Sequence, residues 1–522
     1  MISTGIAGRL LVTTGDVTSL FTDYPLTPEM LRRARVPGAD WEAASYWRLL
    51  ERLEAGEKVR VAVLGGSEAA GTGCDDGTLR VAGCSWSARF VAWLRQAYPR
   101  AQIGYENHGA GGTTTAGILP SLRPILEATG SPVPDLILID FLVNDAFEAQ
   151  DWLAGKGGAY ANTEPTAMER QGHSRLNIVQ ATTSILLSRL QERHPHAALL
   201  LYEPLCTVEG AIANVNTKDC YDTQEAHVAA ANAFRVPVVS YRDVVWPADE
   251  KSQPPKPQFW CCNDTAHPRW EAHQLMADTL IHAWTAMHSE LCQRTDSAEL
   301  TSSDKLTSAD RVGARTVHVE RDAASKRLKS LVPADLLERY DQCRTPSTSY
   351  DAKALMHLSR HQAKHPSGNH PKAVKGDWRL YEDRKDKPGW IAEEEGSILR
   401  FDLAFGASPR VVLTFLRSYE ELGSVEVGFA GPVGVGETNP NRIAGSSYEI
   451  DGIWPEGTMP PGNAGKVSQV HSLAFNVQQT EVQQRHGDAA MVGFGIKPFS
   501  HRGMVVKVKR PGKFKILSIV SC

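Results

Sequence analysis

Between residues 59 and 288 short apolar runs alternate with stretches whose apolar positions recur at helical spacing. Val59–Leu64 is rich in β-branched residues and reads as a buried strand. Ile103–Glu106, Asp135–Val143, Ala197–Tyr202 and Val236–Ser240 give four further strands. Between them, helices are predicted over Ser87–Tyr98, Thr115–Leu126 (interrupted at Pro120 and Pro124), Ala167–Arg193, Tyr221–Phe234 and Arg269–His288. Ahead of the first strand, Trp41–Ala55 places Ala43, Tyr46, Trp47, Leu50 and Leu53 at helical spacing, with Asp40 as N-cap. Strands alternating with helices predict an α/β fold with a parallel sheet covered on both faces.

The pattern breaks after residue 290. Residues 291–375 are rich in Ser, Thr, Asp, Lys and Arg and read as a polar, partly disordered linker with one helix around Pro333–Gln342. His357, His361 and His365 lie there at four-residue intervals, without an acidic or Cys partner, and read as a solvated face rather than a metal site. From Gly376 short β-rich runs recur, at Ile398–Leu403, Val411–Leu416, Val425–Phe429, Val467–Phe475, Met491–Ile496, Met504–Val508 and Phe514–Val520. Gly and Pro turns separate many of them, which predicts an antiparallel β-sandwich or jelly roll. The expected organisation is a lead-in over 1–58, an α/β domain over 59–290, the linker, and a β-sandwich over 376–522.

At 522 residues the chain has ample core for two or three domains. Its net charge of −4 gives no basic footprint, so no nucleic-acid partner is expected. No apolar stretch is long enough to span a membrane, and the N-terminus makes a poor signal peptide. Cys74/Cys84 and Cys206/Cys220 are close enough for local disulfides, which suits a secreted or endomembrane protein. No paired CxxC pattern calls for zinc, and no cofactor is expected.

The candidate chemistry lies at strand ends. Ser67 follows the first strand after Gly65-Gly66, at the carboxyl edge of the sheet where ligands bind in open α/β folds. Asn107 to Gly112 has three glycines in four positions, which lets backbone approach a ligand closely. Asn144 is expected at the tip of the third strand. His267 is expected at the mouth of the last helix, whose first position suits Pro268, and Asp264 precedes it by three residues. Ser67 needs a base, His267 can serve, and Asp264 can fix its tautomer. The N–H groups of Ser67 and Gly112 and the amide of Asn144 could form an oxyanion hole.

This order resembles the SGNH hydrolases, also called GDSL esterases/lipases, over about residues 59–288. The blocks are Gly65-Gly66-Ser67, Asn107 to Gly112, Leu142-Val143-Asn144-Asp145 and Asp264-Thr265-Ala266-His267-Pro268. Gly66 stands where many members have Asp, and Leu142 where the family often has Gly. The resemblance implies a flavodoxin-like α/β/α fold with Ser67, Gly112, Asn144 and His267 in the four named roles. The expected activity is serine-dependent ester hydrolysis on a small-molecule ester or acylated glycan, with glycan deacetylation favoured. Trp86, Trp246 and Trp260 fall in predicted loops that could border the rim and stack on sugar rings. Acyl transfer to a sugar hydroxyl by the same site, and non-catalytic polysaccharide binding, are the alternatives.

Overall fold

The computed structural model describes residues 24–35, 43–74, 83–122, 126, 133–149, 175–205, 217–246, 267–299, 324–334, 336–337, 348–352, 355–356, 371–383, 388–407, 409–418, 422–430, 443–453, 469–476, 494 and 496–522. The chain divides into two compact units. The first is Met1–Ala110, Pro132–Ala149 and Val179–Pro333; the second is Gly111–Ser131, Gln150–Ile178 and Ala334–Cys522.

The first unit is built on a five-stranded sheet of β1 (Lys58–Gly65), β2 (Gln102–Asn107), β3 (Leu136–Asp140), β4 (Ala198–Glu203) and β5 (Val238–Ser240), in the order β2-β1-β3-β4-β5. Every neighbouring pair is parallel. Parallel neighbours need crossovers, and helices supply them: α1 (Ala43–Ala55) leads in, and α2 (Ser67–Ala70), α3 (Trp86–Ala97), α4 (Leu142–Ala149), α5 (Arg175–Arg193), α6 (Thr217–Ala233), α7 (Tyr241–Val245) and α8 (Trp270–Glu299) follow. Val61, Val63, Leu138, Leu200 and Val239 on one sheet face pack with Tyr46 and Leu50 of α1, Phe90 and Leu94 of α3, and Leu275 and Trp284 of α8. Ala62, Leu64, Ile137, Ile139 and Leu201, at the alternate positions, are equally buried. A sheet dry on both faces explains why its strands read as continuous apolar runs. Each fully buried aliphatic side chain contributes about 1.5–3 kcal/mol.

The third strand is shorter than the apolar run. It ends at Asp140, and Leu142–Ala149 is helical, with Asp145 favourably placed in the first turn. Asn144 therefore sits in the first turn of a helix rather than at a strand tip. Helix α3 starts one residue early, at Trp86, because Ser85 caps it and accepts a hydrogen bond from the Ala88 N–H. Among the described residues no helix is long and apolar enough to cross a membrane.

The second unit holds the antiparallel strands β6 (Thr348–Asp351), β7 (Lys372–Lys375), β8 (Arg379–Glu382), β9 (Pro388–Ala392), β10 (Ile398–Ala404), β11 (Arg410–Arg417), β12 (Ser424–Ala430), β13 (Ile443–Asp451), β14 (Gln469–Asn476), β15 (His501–Arg510) and β16 (Phe514–Ser521). They form a sheet of order β13-β12-β15-β10-β7 and a second of order β14-β11-β16-β9-β8, with β6 also paired to β16. Strand β10 alternates cleanly: Leu399, Phe401 and Leu403 are buried and their neighbours are half-exposed. These residues pack with Trp390, Phe415, Val427 and Phe514 in one apolar core. Strands β6 and β7 belong to these sheets although they lie within residues 291–375, where the sequence suggested a linker. The histidines at 357, 361 and 365 lie outside the described residues, and Phe494 and Ile496 are not in a strand.

Lys515 on β16 is fully buried, with its Nζ 2.5 Å from Asp383 Oδ1, while Lys513 lies 2.5 Å from Oδ2. Burial alone would raise the Asp383 carboxyl, but the two ammonium groups outweigh it and hold it down to about 2. An acid depressed in the folded state stabilises above its unfolded value near 4 and loses that contribution as pH falls toward 2. Asp383→Ala should lower stability at pH 7 by about 3 kcal/mol, because it strands a buried ammonium. Denaturant unfolding should also show the variant losing less stability than the parent between pH 4 and 2.

Candidate active site

The site starts from one close approach. Strand β1 ends at Gly65, and a Cβ there would lie 2.4 Å from both Ala69 Cβ and the Asp140 carbonyl oxygen. Only glycine permits this turn. The Gly66 N–H donates to Asp140 O (2.9 Å), and the Ala110 N–H donates to Gly65 O (2.9 Å). The ends of β1 and β3 and the segment after β2 are thus tied together where Ser67 opens α2. Gly71, left-handed at φ +81°, closes that single turn. Asn107 fastens it from the other side: its Nδ2 donates to Ala69 O (2.6 Å), and its Oδ1 accepts from the Gly109 N–H (2.8 Å). A Cβ on Gly109 would lie 2.5 Å from Ala70 N, so β2's trailing loop lies directly on α2.

Ser67 is 8% exposed, and among the described residues its hydroxyl makes no hydrogen bond. Its backbone N–H is the first of a helix and has no intrahelical acceptor. The Thr72 N–H returns to Ser67 O (2.9 Å), and the next residue, Gly73, meets the histidine segment. Gly73 has φ +85°, and a Cβ on it would lie 3.0 Å from His267 Cβ and 2.8 Å from Pro268 O. The loop leaving the serine therefore rests on His267, which is half-buried. The Cys74–Cys84 disulfide staples that loop to the start of α3, as the spacing suggested. Cys206 lies outside the described residues.

Asn144 is also 8% exposed, and among the described residues its amide makes no hydrogen bond. The hydroxyl of Ser67, the imidazole of His267 and the amide of Asn144, with its two N–H donors, all belong to the first unit. Gly112 belongs to the second unit, where it has φ +79° and its carbonyl accepts from the Val470 N–H (3.2 Å). Asp264 and Trp260 lie outside the described residues.

Two of the three indoles are not at the rim at all. Trp86 is fully buried on α3, stacked on Tyr202 with ring centroids 4.3 Å apart, and its Nε1 donates to Asp140 Oδ2 (3.2 Å). Trp246 is 1% exposed, within the core of the first unit. Both serve packing rather than sugar stacking, because an indole buried on all sides has no face to offer.

The surroundings are acidic but held neutral. Glu68, next to Ser67, is pushed well above the usual carboxylate range, first by burial and then by Asp140. Asp140 rises to about 8 through burial, opposed by the Trp86 hydrogen bond and reinforced by Glu203. His273 is fully buried on α8, and its Nδ1 accepts from the Trp86 N–H (3.2 Å). Burial brings it down to about 3, against the nearby Thr72 carbonyl and with help from Arg89 and His267. It stays neutral beside His267. Among the described residues no group of His, Cys, Asp and Glu is arranged to hold a metal ion.

Sequence reasoning missed Gly73, whose positive φ leaves no local signature, and the Asp145–His227–Glu203 group behind Asn144. His227 sits in an unremarkable helical pattern, so only the fold reveals its partners. Gly65→Ala should destabilise the first unit by about 2 kcal/mol, because the methyl meets backbone that cannot yield cheaply. Thermal unfolding checks this, with Gly104→Ala, whose Cβ would meet only Val59 O at 3.8 Å, as the mild control.

No family model matches this chain, and no curated protein matches it. Among solved structures it is similar to a two-domain esterase active on acetylated mannans, at 14% identity and TM-score 0.48, covering 94% of this chain and 97% of that one. It is also similar to an acetyl xylan esterase from Geobacillus stearothermophilus (18% identity, TM-score 0.31, 43% of this chain and 94% of that one). A member of the lipolytic G-D-S-L family from Veillonella parvula is similar at 14% identity and TM-score 0.30, over 44% of this chain and 98% of that one.

Proposed function

We propose that this protein is a serine-dependent ester hydrolase that removes a short acyl group, with an acetylated glycan as the preferred substrate. The observation that supports the reading is the path of the chain around Ser67: the serine opens α2 at the end of β1, and the Thr72–Gly73 loop that leaves it lies against His267, while Asn144 follows the neighbouring strand β3 with an uncommitted amide. In the reaction His267 takes the Ser67 proton as Oγ attacks the ester carbonyl. The Ser67 N–H and Asn144 Nδ2 stabilise the tetrahedral oxyanion. His267 then protonates the departing alcohol. Water, deprotonated by the same ring, attacks the acyl-serine, releases the acid and returns the proton to Ser67. Asp264 is assigned the orienting role from the sequence pattern alone.

The low exposure of Ser67 and Asn144 suits a small acyl group such as acetyl. The Cys74–Cys84 disulfide suits an oxidising compartment, in keeping with a secreted or endomembrane protein. The test is hydrolysis of p-nitrophenyl acetate and butyrate, followed by acetylated mannan and acetylated xylan. Ser67→Ala should abolish turnover, and Asn144→Ala should lower kcat by about 100-fold or more while the protein stays folded. Wild-type rates retained by folded Ser67→Ala would overturn the reading.

A further inference from the structure

Directly behind Asn144 lies a group with no part in the chemistry above. Asp145, the next residue on α4, is fully buried. So are His227 on α6 and Glu203 at the end of β4. His227 Nε2 lies 2.9 Å from Asp145 Oδ2, and Nδ1 lies 2.9 Å from Glu203 Oε1. A neutral imidazole donates from only one nitrogen, so two carboxylate acceptors at hydrogen-bond distance call for the doubly protonated ring. Burial works against that charge, but Glu203 and Asp145 more than offset it and carry the ring up to about 10. Burial raises Glu203 above the usual carboxylate range, outweighing the pull of His227 and Arg242 in the other direction. Asp140 on β3 and Arg242 on α7 are the other titratable neighbours.

We propose that His227 is a positioning residue: by bridging Asp145 and Glu203 it locks the first turn of α4 to the end of β4, and so holds the Asn144 amide where the oxyanion forms. The argument is geometric. Eight-residue α4 packs through apolar side chains such as Leu142 and Ala146, and one residue of rotation would swing Asn144 by about 100°. One charge-assisted bond at 2.9 Å from His227 to Asp145, the residue after Asn144, and a second at 2.9 Å that anchors the ring on Glu203, oppose that rotation. An apolar contact in the same place would be non-directional and would leave the rotation free.

The proposal rests on the esterase reading for its catalytic part, so the test has two arms. In the first, kcat and KM for p-nitrophenyl acetate are measured for wild type, His227→Gln, Asn144→Ala and the double variant. His227→Gln should lower kcat by about 10- to 100-fold with KM little changed, as partial loss of an oxyanion donor would. In the Asn144→Ala background the same substitution should have almost no further effect, since its target is gone. A general loss of structure would instead lower both backgrounds by the same factor, and that result overturns the proposal. In the second arm, backbone hydrogen exchange over Leu142–Ala149 is compared between wild type and His227→Gln. Faster exchange is expected, and unchanged exchange overturns the proposal whether or not any ester is hydrolysed. If the wild type exchanges as expected but hydrolyses no ester, the esterase reading falls and the helix lock stands. Should His227→Gln fail to fold, Asp145→Asn keeps an acceptor at the same place and enters both arms instead.

Discussion

The first unit depends on backbone meeting backbone at Gly65. The contact of its Cα with Ala69 and the Asp140 carbonyl leaves no space for a side chain. Without that approach the Gly66 N–H could not reach Asp140 O, nor the Ala110 N–H reach Gly65 O. Those two bonds join the ends of β1 and β3 and the segment after β2, which are otherwise separate termini of a parallel sheet. Two of the groups assigned to the chemistry on this unit, Ser67 and Asn144, hang from them. Ser67 follows β1, Asn144 follows β3 by one turn, and the Asn107–Gly109 loop follows β2 and braces α2. Parallel sheets place their strand ends on one edge by construction. Here the glycine turns that common edge into a fixed distance between them.

The second constraint is electrostatic. Glu68, Asp140, Asp145 and Glu203 are buried around the same edge. On the proposed reading, a set of ionised carboxylates there would oppose the negative charge that develops on an ester oxygen. Desolvation lessens this at Glu68 and Asp140 by favouring their protonated forms, and the His227 imidazolium offsets one negative charge between Asp145 and Glu203. His273 is kept neutral by the same means. Each effect costs stability, since an acid that is neutral in the fold would be ionised and hydrated in the unfolded chain. Packing on both faces of the sheet offsets that cost.

The sheet was legible because its strands are buried on both faces and hence apolar throughout, and β10 because one face is dry and the other wet. What was not legible has specific causes. The apolar run at 135–143 continues past the strand because a buried helix start is as apolar as a buried strand, and periodicity cannot separate them over so few residues. Strands β6, β7 and β8 are short, polar and at sheet margins, so they read as linker or loop. Nothing local indicated that Gly112 and its neighbours pack with the second unit, because that depends on β14, far along the chain. Ser67, Asn144 and His267 stand out as candidates by residue type and order alone. The bridge at His227 was invisible because its partners come from three separate elements.

The burial of Trp86 and Trp246 changes where selectivity can reside. Indoles in the core cannot grip a sugar, so Trp86 and Trp246 offer a glycan no stacking surface. What this edge offers is depth: Ser67 and Asn144 are both nearly closed to solvent. On the proposed reading, an acyl carbon comes within bonding distance of Ser67 Oγ while its oxygen meets the Asn144 amide, and groups this deeply set favour a short acyl chain such as acetyl over a long one. On the proposed reading, discrimination therefore acts on the acid half of the ester. The alcohol half departs outward, and its identity is constrained by what lies above the edge rather than within it. Substrates that differ in acyl length should accordingly separate more sharply than substrates that differ in the sugar carrying the acyl group.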